Sequence, residues 1–201
     1  MTTLSKPRQL ANRANSVSVT DYGVLPTNTA AQNATAIALA NTAVAGGDLS
    51  FPSGTFLCDG FTGITGKWKL AEDTILKHNN AASGDMIAAI GDFTIEGGTI
   101  DGNKDNQTGR YSLINFIGDN LIARFSTYKN SIEASIIVTS AATVDVHNNR
   151  FEDLAEHTGV TGENSTGVDI DGANTFVRAH INDNFFINPT FTGCITGLAT
   201  S

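Results

Sequence analysis

Val144-Asp145-Val146-His147-Asn148-Asn149-Arg150-Phe151 lies over three other stretches of this chain. They are Phe93-Thr94-Ile95-Glu96-Gly97-Gly98-Thr99-Ile100, Leu121-Ile122-Ala123-Arg124-Phe125-Ser126-Thr127-Tyr128 and Ala179-His180-Ile181-Asn182-Asp183-Asn184-Phe185-Phe186. Positions 1 and 3 of each stretch hold an apolar or small residue, and position 8 a large apolar one. Position 6 is Gly98, Ser126, Asn149 and Asn184. Successive stretches are offset by 28, 23 and 35 residues. Each follows another short apolar run, at 86–90, 113–117, 135–138 and 167–170, and a last run opens at Gly193-Cys194-Ile195.

A strand, a tight corner and a second strand, repeated at this period, suits coils stacked along an axis. Each strand then bonds to the same strand of the next coil at ~4.8 Å. Inward positions are apolar because like stacks on like. Position 6 is expected to make the corner, since Asn and Gly tolerate the left-handed conformation. Asn149 and Asn184, stacked there, are placed to bond side chain to side chain. A β-sandwich would instead put Asn-Gly or Asp-Gly turns midway between paired strands. Asp101-Gly102 and Asp171-Gly172 open longer polar stretches. The expected fold is therefore all-β, a parallel β-helix.

The rest of the chain agrees. Of 201 residues 16% are charged and 40% hydrophobic, which excludes a coiled coil. The sequence holds 20 Gly, 25 Thr and 19 Asn, a composition for strands and corners. Residues 1–16 are polar and unpatterned and read as an arm or linker. Val17-Ser18-Val19-Thr20-Asp21-Tyr22-Gly23 predicts a short strand ending in a turn. An Ala-rich segment with Ile37, Ala40 and Val44 on one stripe predicts a capping helix over about 33–45, with Asn33 or Thr29 as N-cap. Gly46-Gly47 ends it. Asp48 to Leu57 predicts two short strands around a Pro-Ser-Gly turn. The β-helix domain is expected over 17–201.

Charge and patterning narrow the partners. The net charge is −8, with no basic cluster, so neither nucleic acid nor an anionic membrane surface is expected to bind. No apolar run approaches the ~18 residues of a membrane span. Residues 1–17 carry Lys6, Arg8 and Arg13 with no apolar stretch after them, so no secretory signal is read there. Cys58 and Cys194 lack zinc-ligand spacing and read as two buried free thiols.

The stretch from Val17 to Gly23, the Ala-rich helix and Gly46-Gly47-Asp48-Leu49-Ser50-Phe51-Pro52-Ser53-Gly54-Thr55-Phe56 together resemble the opening of right-handed β-helices of the pectate-lyase superfamily. The resemblance is greatest to bacteriophage tailspikes and capsule depolymerases. Gly97-Gly98-Thr99-Ile100-Asp101-Gly102-Asn103 is similar to that family's early coil. The resemblance implies a homotrimer in the virion tail, extracellular, in contact with other tail proteins. It would bind bacterial surface polysaccharide and in some members depolymerise it. The alternatives are a non-catalytic structural component of the virion and a cellular polysaccharide lyase or glycosidase. Three departures are visible. The family's Asp pair before the helix is replaced by Asn28-Thr29-Ala30-Ala31-Gln32-Asn33, and the chain holds only about six coils. It also stops just after a strand start, and an open coil leaves unpaired edges. A fragment, or an end covered by a partner, is expected.

Candidate site residues follow from the chemistry. Glycan hydrolysis uses two carboxylates, ~5–5.5 Å apart for retention or ~6.5–9.5 Å for inversion. In Thr166-Gly167-Val168-Asp169-Ile170-Asp171-Gly172, inward Val168 and Ile170 leave Asp169 and Asp171 outward, at about twice the ~3.3 Å rise. The longest connection carries Glu152, Asp153, Glu156, His157, Glu163 and Asn164. Asp169, Asp171 and Glu152 are the catalytic candidates. Glu156, His157, Arg150 and Arg178 are the substrate-binding candidates. Lyase chemistry needs a base and cations near an enolate-like intermediate, for which Arg124, Arg150 and Arg178 are available. Asp169, Asp171 and Asp183 offer oxygen ligands without EF-hand spacing, and no metal or cofactor is assigned. Trp68 and Tyr111 are available to stack on sugars, with Trp68 also suited to packing near the helix. The residues leave open hydrolase, lyase or no catalysis.

Overall fold

The computed structural model describes residues 16–154, 166–170, 178–187 and 195–196. Every strand pairing among them is parallel. The chain climbs as a β-helix with three faces. The first face is built from the N-terminal halves of β4 (Phe61–Leu70) and β6 (Ile87–Glu96), then β8 (Ile114–Ile117), β11 (Ala134–Ser140), β14 (Thr166–Ile170) and β17 (Ile195–Thr196). The second holds β2 (Asp48–Phe51), the C-terminal halves of β4 and β6, β9 (Asn120–Arg124), β12 (Thr143–His147) and β15 (Arg178–Asn182). The third holds β3 (Gly54–Cys58), β5 (Thr74–His78), β7 (Thr99–Asp101), β10 (Thr127–Lys129), β13 (Arg150–Glu152) and β16 (Phe185–Ile187).

The four repeated stretches are in one register. Phe93, Leu121, Val144 and Ala179 are successive partners, and so are Ile100, Tyr128, Phe151 and Phe186. The inward column at position 3 runs Leu49, Trp68, Ile95, Ala123, Val146, Ile181, so the large Trp68 ring is followed by smaller side chains in the coils above it. Trp68 is fully buried, with Phe51 at 4.9 Å and Phe93 at 5.7 Å between ring centroids. It is core and unavailable to a sugar. On the third face Tyr128 stacks on Phe151 at 5.1 Å, and Phe151 on Phe186 at 4.9 Å. Face-on stacks of this kind arise because parallel coils bring equal positions together.

The corner between the second and third faces differs from expectation by one residue. The left-handed conformation falls at position 5, on Gly97, Phe125, Asn148 and Asp183, and only the Gly97-Gly98 coil continues it into position 6. Position 6 points inward, where its side chain answers the corner's backbone. The Asn149 side-chain oxygen accepts from Ser126 N at 3.1 Å, and its amide donates to Ala123 O at 2.8 Å and to the Asn184 oxygen at 3.2 Å. The Asn184 amide donates to Val146 O at 2.9 Å. The expected Asn ladder is present, but its residues satisfy the corner rather than make the left-handed turn.

Near the start, β1 (Ser16–Ser18) pairs with β2 and gives way to a 3₁₀ turn at Val19–Tyr22, so the predicted strand is shorter than the alternation suggests. The helix, α1, spans Ala30–Val44 rather than 33–45. Thr29 is its N-cap, in a capping box with Gln32. Asn33 is instead buried inside it, accepting from Leu25 N at 3.1 Å and donating to Leu57 O at 3.1 Å. Ile37 and Ala40 are buried and Val44 packs on the core's edge. Cys58 is a buried free thiol, and burial pushes it well up from the ordinary thiol range. Cys194 lies outside the described residues. No helix among the described residues is long and apolar enough to cross a membrane.

Candidate functional site

The residues singled out from the sequence fall on all three faces. Val168 and Ile170 are buried as expected, and Asp169 between them faces outward on the first face, with Ile137 and Thr196 as its register partners. Asp171, Glu156, His157, Glu163 and Asn164 lie outside the described residues, so the separation that would sort an inverting pair from a retaining one is not fixed by them. Glu152 and Arg150 both point outward from β13 on the third face and pair with each other. Arg178 opens β15 on the second face. The Tyr111 ring meets the His78 imidazole edge to face at 6.3 Å. The Asp183 carboxylate accepts from the neighbouring Asn182 amide at 2.7 Å.

The second face gathers more chemistry than any of these. Its outward positions form two columns. One runs Asp48, Lys67, Thr94, Ile122, Asp145, His180; the other runs Ser50, Lys69, Glu96, Arg124, His147, Asn182. The strand alternation sends positions 1 and 3 into the core and therefore forces 2 and 4 outward. The columns lie side by side, so groups from three coils meet. Glu96 takes Lys67 at 2.6 Å and Arg124 at 3.0 Å, and the Lys67 hydrogen bond, then that of Arg124, holds its carboxyl below the usual range. Asp145 faces His180 Nδ1 at 3.3 Å and His147 Nε2 at 3.8 Å.

A local hydrogen bond orients one imidazole of this imidazole–carboxylate–imidazole group. Asn148 Nδ2 lies 2.9 Å from His147 Nδ1. An amide donating there leaves the His147 proton on Nε2, toward Asp145. His180 presents Nδ1 to the carboxylate, so its Nε2 is the atom left for a ligand. Arg124 Nε and Asn182 Oδ1 are buried polar atoms with no hydrogen-bond partner, and Asp145 Oδ1, also buried, has its His180 Nδ1 contact at 3.3 Å. All three sit on the β9–β12–β15 part of this face. Among the described residues no group of three or more His, Cys, Asp or Glu has the geometry of a metal site.

At the edge of the second face, where the chain turns toward the third, a groove of about 400 Å³ is lined by Lys69, Glu72, Glu96, Gly97, Phe125 and Thr127. Gly97 is required there. It is left-handed, and a Cβ would strike the Leu70 carbonyl of the coil below. The Phe125 ring lies 5.8 Å from the His147 ring at 80°, with the Arg124 guanidinium 5.8 Å from its centroid. Groove and imidazole cluster are thus neighbours.

Asp145, His147 and His180 were not among the sequence candidates. Their signal was in the overlay: Asp145 and His180 share position 2, and Arg124 and His147 share position 4. The sequence pattern pairs carboxylates along one strand, whereas the β-helix brings groups together across coils.

No protein-family model matches this sequence, and no curated protein matches it. Two solved structures share the fold. A candidate glycosyl hydrolase from Parabacteroides merdae superposes with a TM-score of 0.51 at 13% identity, over 90% of this chain and 98% of that one. The A-module of a mannuronan C-5 epimerase from Azotobacter vinelandii gives a TM-score of 0.50 at 15% identity, over 89% of this chain and 63% of that one. This chain therefore spans less than two thirds of the epimerase chain. At such identities the likeness is one of fold, a parallel β-helix in both cases.

Proposed function

We propose that this protein binds an acidic polysaccharide along its second face and acts on it by proton transfer at a uronate ring carbon. The observation that carries this is the Asp145 carboxylate set between two imidazoles, with Arg124 in the adjacent column. Asp145 faces His180 Nδ1 and orients the imidazole, leaving Nε2 as the base toward the sugar. His180 Nε2 takes the proton beside the sugar carboxylate. Arg124 faces that carboxylate and offsets the charge that builds on it. The electron pair then expels the glycosidic oxygen at the neighbouring carbon, giving elimination, or a proton returns to the other side, giving epimerisation. His147 is a second proton carrier in the same cluster.

Hydrolysis is supported less well on this face. Its two central carboxylates are Glu96 and Asp145, and Glu96 is held ionised by Lys67 and Arg124, which suits it poorly to general-acid work. The two solved structures add support of a general kind, since one is a mannuronan C-5 epimerase module and the other a candidate glycosyl hydrolase.

The test is exchange of ring hydrogen in deuterated water. Polymannuronate, polygalacturonate and hyaluronan are incubated with the protein, and the sugar C5 signals are followed by NMR together with ultraviolet absorbance of unsaturated ends. Exchange that disappears in Asp145→Asn and His180→Gln is expected. No exchange and no unsaturated ends on any acidic glycan would sink the reading.

Deployment on a phage tail as a homotrimer bound to bacterial surface polysaccharide is the finer part of this proposal. The opening strand, helix and Gly46-Gly47-Asp48-Leu49-Ser50-Phe51-Pro52 order support it. So do Ile90 and Ile117, exposed register partners on the first face that a second copy would cover. Sedimentation velocity checks it: a trimer is expected, and a monomer at micromolar concentration removes this part.

A further inference from the structure

We infer that Phe125 is a carbohydrate-stacking platform: a pyranose ring of the bound glycan lays its C–H face on this phenyl ring, with its hydroxyls toward Glu96 and Lys69 in the corner groove. The inference deepens the reading of the second face and rests on it. Four observations on Phe125 lead there. Its φ is +57°, a region where a bulky residue is a true outlier. The same corner position in neighbouring coils holds Gly97, Asn148 and Asp183, the residue types that accept this conformation at little cost. Burial does not repay the strain, because Phe125 is 56% exposed. Its ring lines the groove, and His147 and Arg124 set its tilt from one side.

A strained residue that packing does not explain points to a use for its side chain. That use has a definite chemistry. The groove, at about 400 Å³, lies within the ~300–1,000 Å³ of ligand sites. It combines one flat apolar wall with charged hydrogen-bonding groups at Lys69, Glu72 and Glu96. A sugar ring has this division, an apolar C–H face and a hydroxylated rim. A peptide or lipid chain lacks the hydroxyls to answer the rim. The groove also adjoins the His147–Asp145–His180 cluster, so a ring on Phe125 sits in a subsite next to the ring being deprotonated.

The test exploits the strain. Asn suits the left-handed corner, so Phe125→Asn is expected to raise the melting temperature by a few degrees and, at the same time, weaken polysaccharide binding about tenfold. Binding is measured by affinity electrophoresis and isothermal titration with the acidic glycan that the wild type exchanges best. The loss is expected in KM rather than in kcat. Phe125→Tyr keeps a ring and should bind within about twofold of wild type. If Phe125→Asn binds as the wild type does, the platform is overturned and the reading of the face stands. If it loses binding but melts at or below the wild type, Phe125 is a packing residue and the platform is overturned. If the wild type binds no glycan, both fall.

Discussion

The first and second faces of this β-helix are built by the same coils, and β4 and β6 run through both. Inward, they are alike. Ile87, Ile114, Ile136 and Val168 stack on one, and Ile95, Ala123 and Val146 on the other, all fully buried. Outward, they diverge. Ala88, Asn115, Ile137 and Asp169 follow one another on the first face, while Thr94, Ile122, Asp145 and His180 do so on the second. The core fixes the backbone and leaves every outward position free, so chemistry can be laid on one face without cost to the other.

The contrast breaks most visibly at the imidazole cluster. His180→Gln and Asp145→Asn should each lower proton exchange by ~10²–10⁴, the usual worth of a positioned acid or base. Their melting curves should stay near wild type, because both side chains face outward. Asp169→Asn on the first face is the competing arm. Loss of exchange there, with none at His180, would move the site to the face first nominated.

Inward residues should show the opposite pattern on either face. Phe151 lies between Tyr128 and Phe186 in a continuous stack and is fully buried. Phe151→Ala should destabilise the chain by ~3–5 kcal/mol, read from denaturant unfolding. Ile117→Thr, outward on the first face, should stay within ~0.5 kcal/mol at concentrations too low for copies to associate. A large effect at Ile117 would mean that the first face is covered in solution.

A finer version sits in one corner. Asn148 is left-handed and Asn149 is buried, and the two are adjacent in sequence. Asn149→Ala leaves Ser126 N without its acceptor and removes the amide's bonds to Ala123 O and the Asn184 oxygen, at a cost of ~1–3 kcal/mol. Asn148→Gly should be nearly neutral for stability, since glycine accepts the same φ. Equal effects would erase the distinction between positions 5 and 6.

That corner also explains what was legible in the sequence. The inward columns could be read because stacking of equal positions forces like residues to recur, and Phe93, Leu121, Val144 and Ala179 did so in the register the structure shows. The left-handed residue was misplaced because Asn stands at both 148 and 149 and suits both jobs. Phe125 hid it further, being a residue type that gives no hint of positive φ. Helix α1 was displaced by three residues at its start because Asn33 looks like a cap but is used as a buried bridge to Leu57. The site was missed for a different reason. Asp145 and His180 are 35 residues apart, and only the coil register makes them neighbours. Outward residues carry no periodicity of their own, so no local pattern announces them.

The smallest expected effect tests whether the charges of the second face serve stability at all. Glu96 sits between Lys67 and Arg124, and the Lys67 hydrogen bond, followed by that of Arg124, lowers its folded-state pKa. The unfolded chain therefore binds this proton more readily than the folded one. Stability from Glu96 is fully present above the unfolded carboxylate pKa and is lost as pH falls through the lowered folded value. Glu96→Gln removes that contribution at neutral pH and should flatten the acid limb of melting temperature against pH. The side chain is 31% exposed, so screening keeps the change the smallest in the series, and added salt should shrink it further. If Glu96→Gln instead unfolds the protein at neutral pH, the second face is a structural ion-pair network. The division between a core that builds and a face that acts would then fail where it has been drawn.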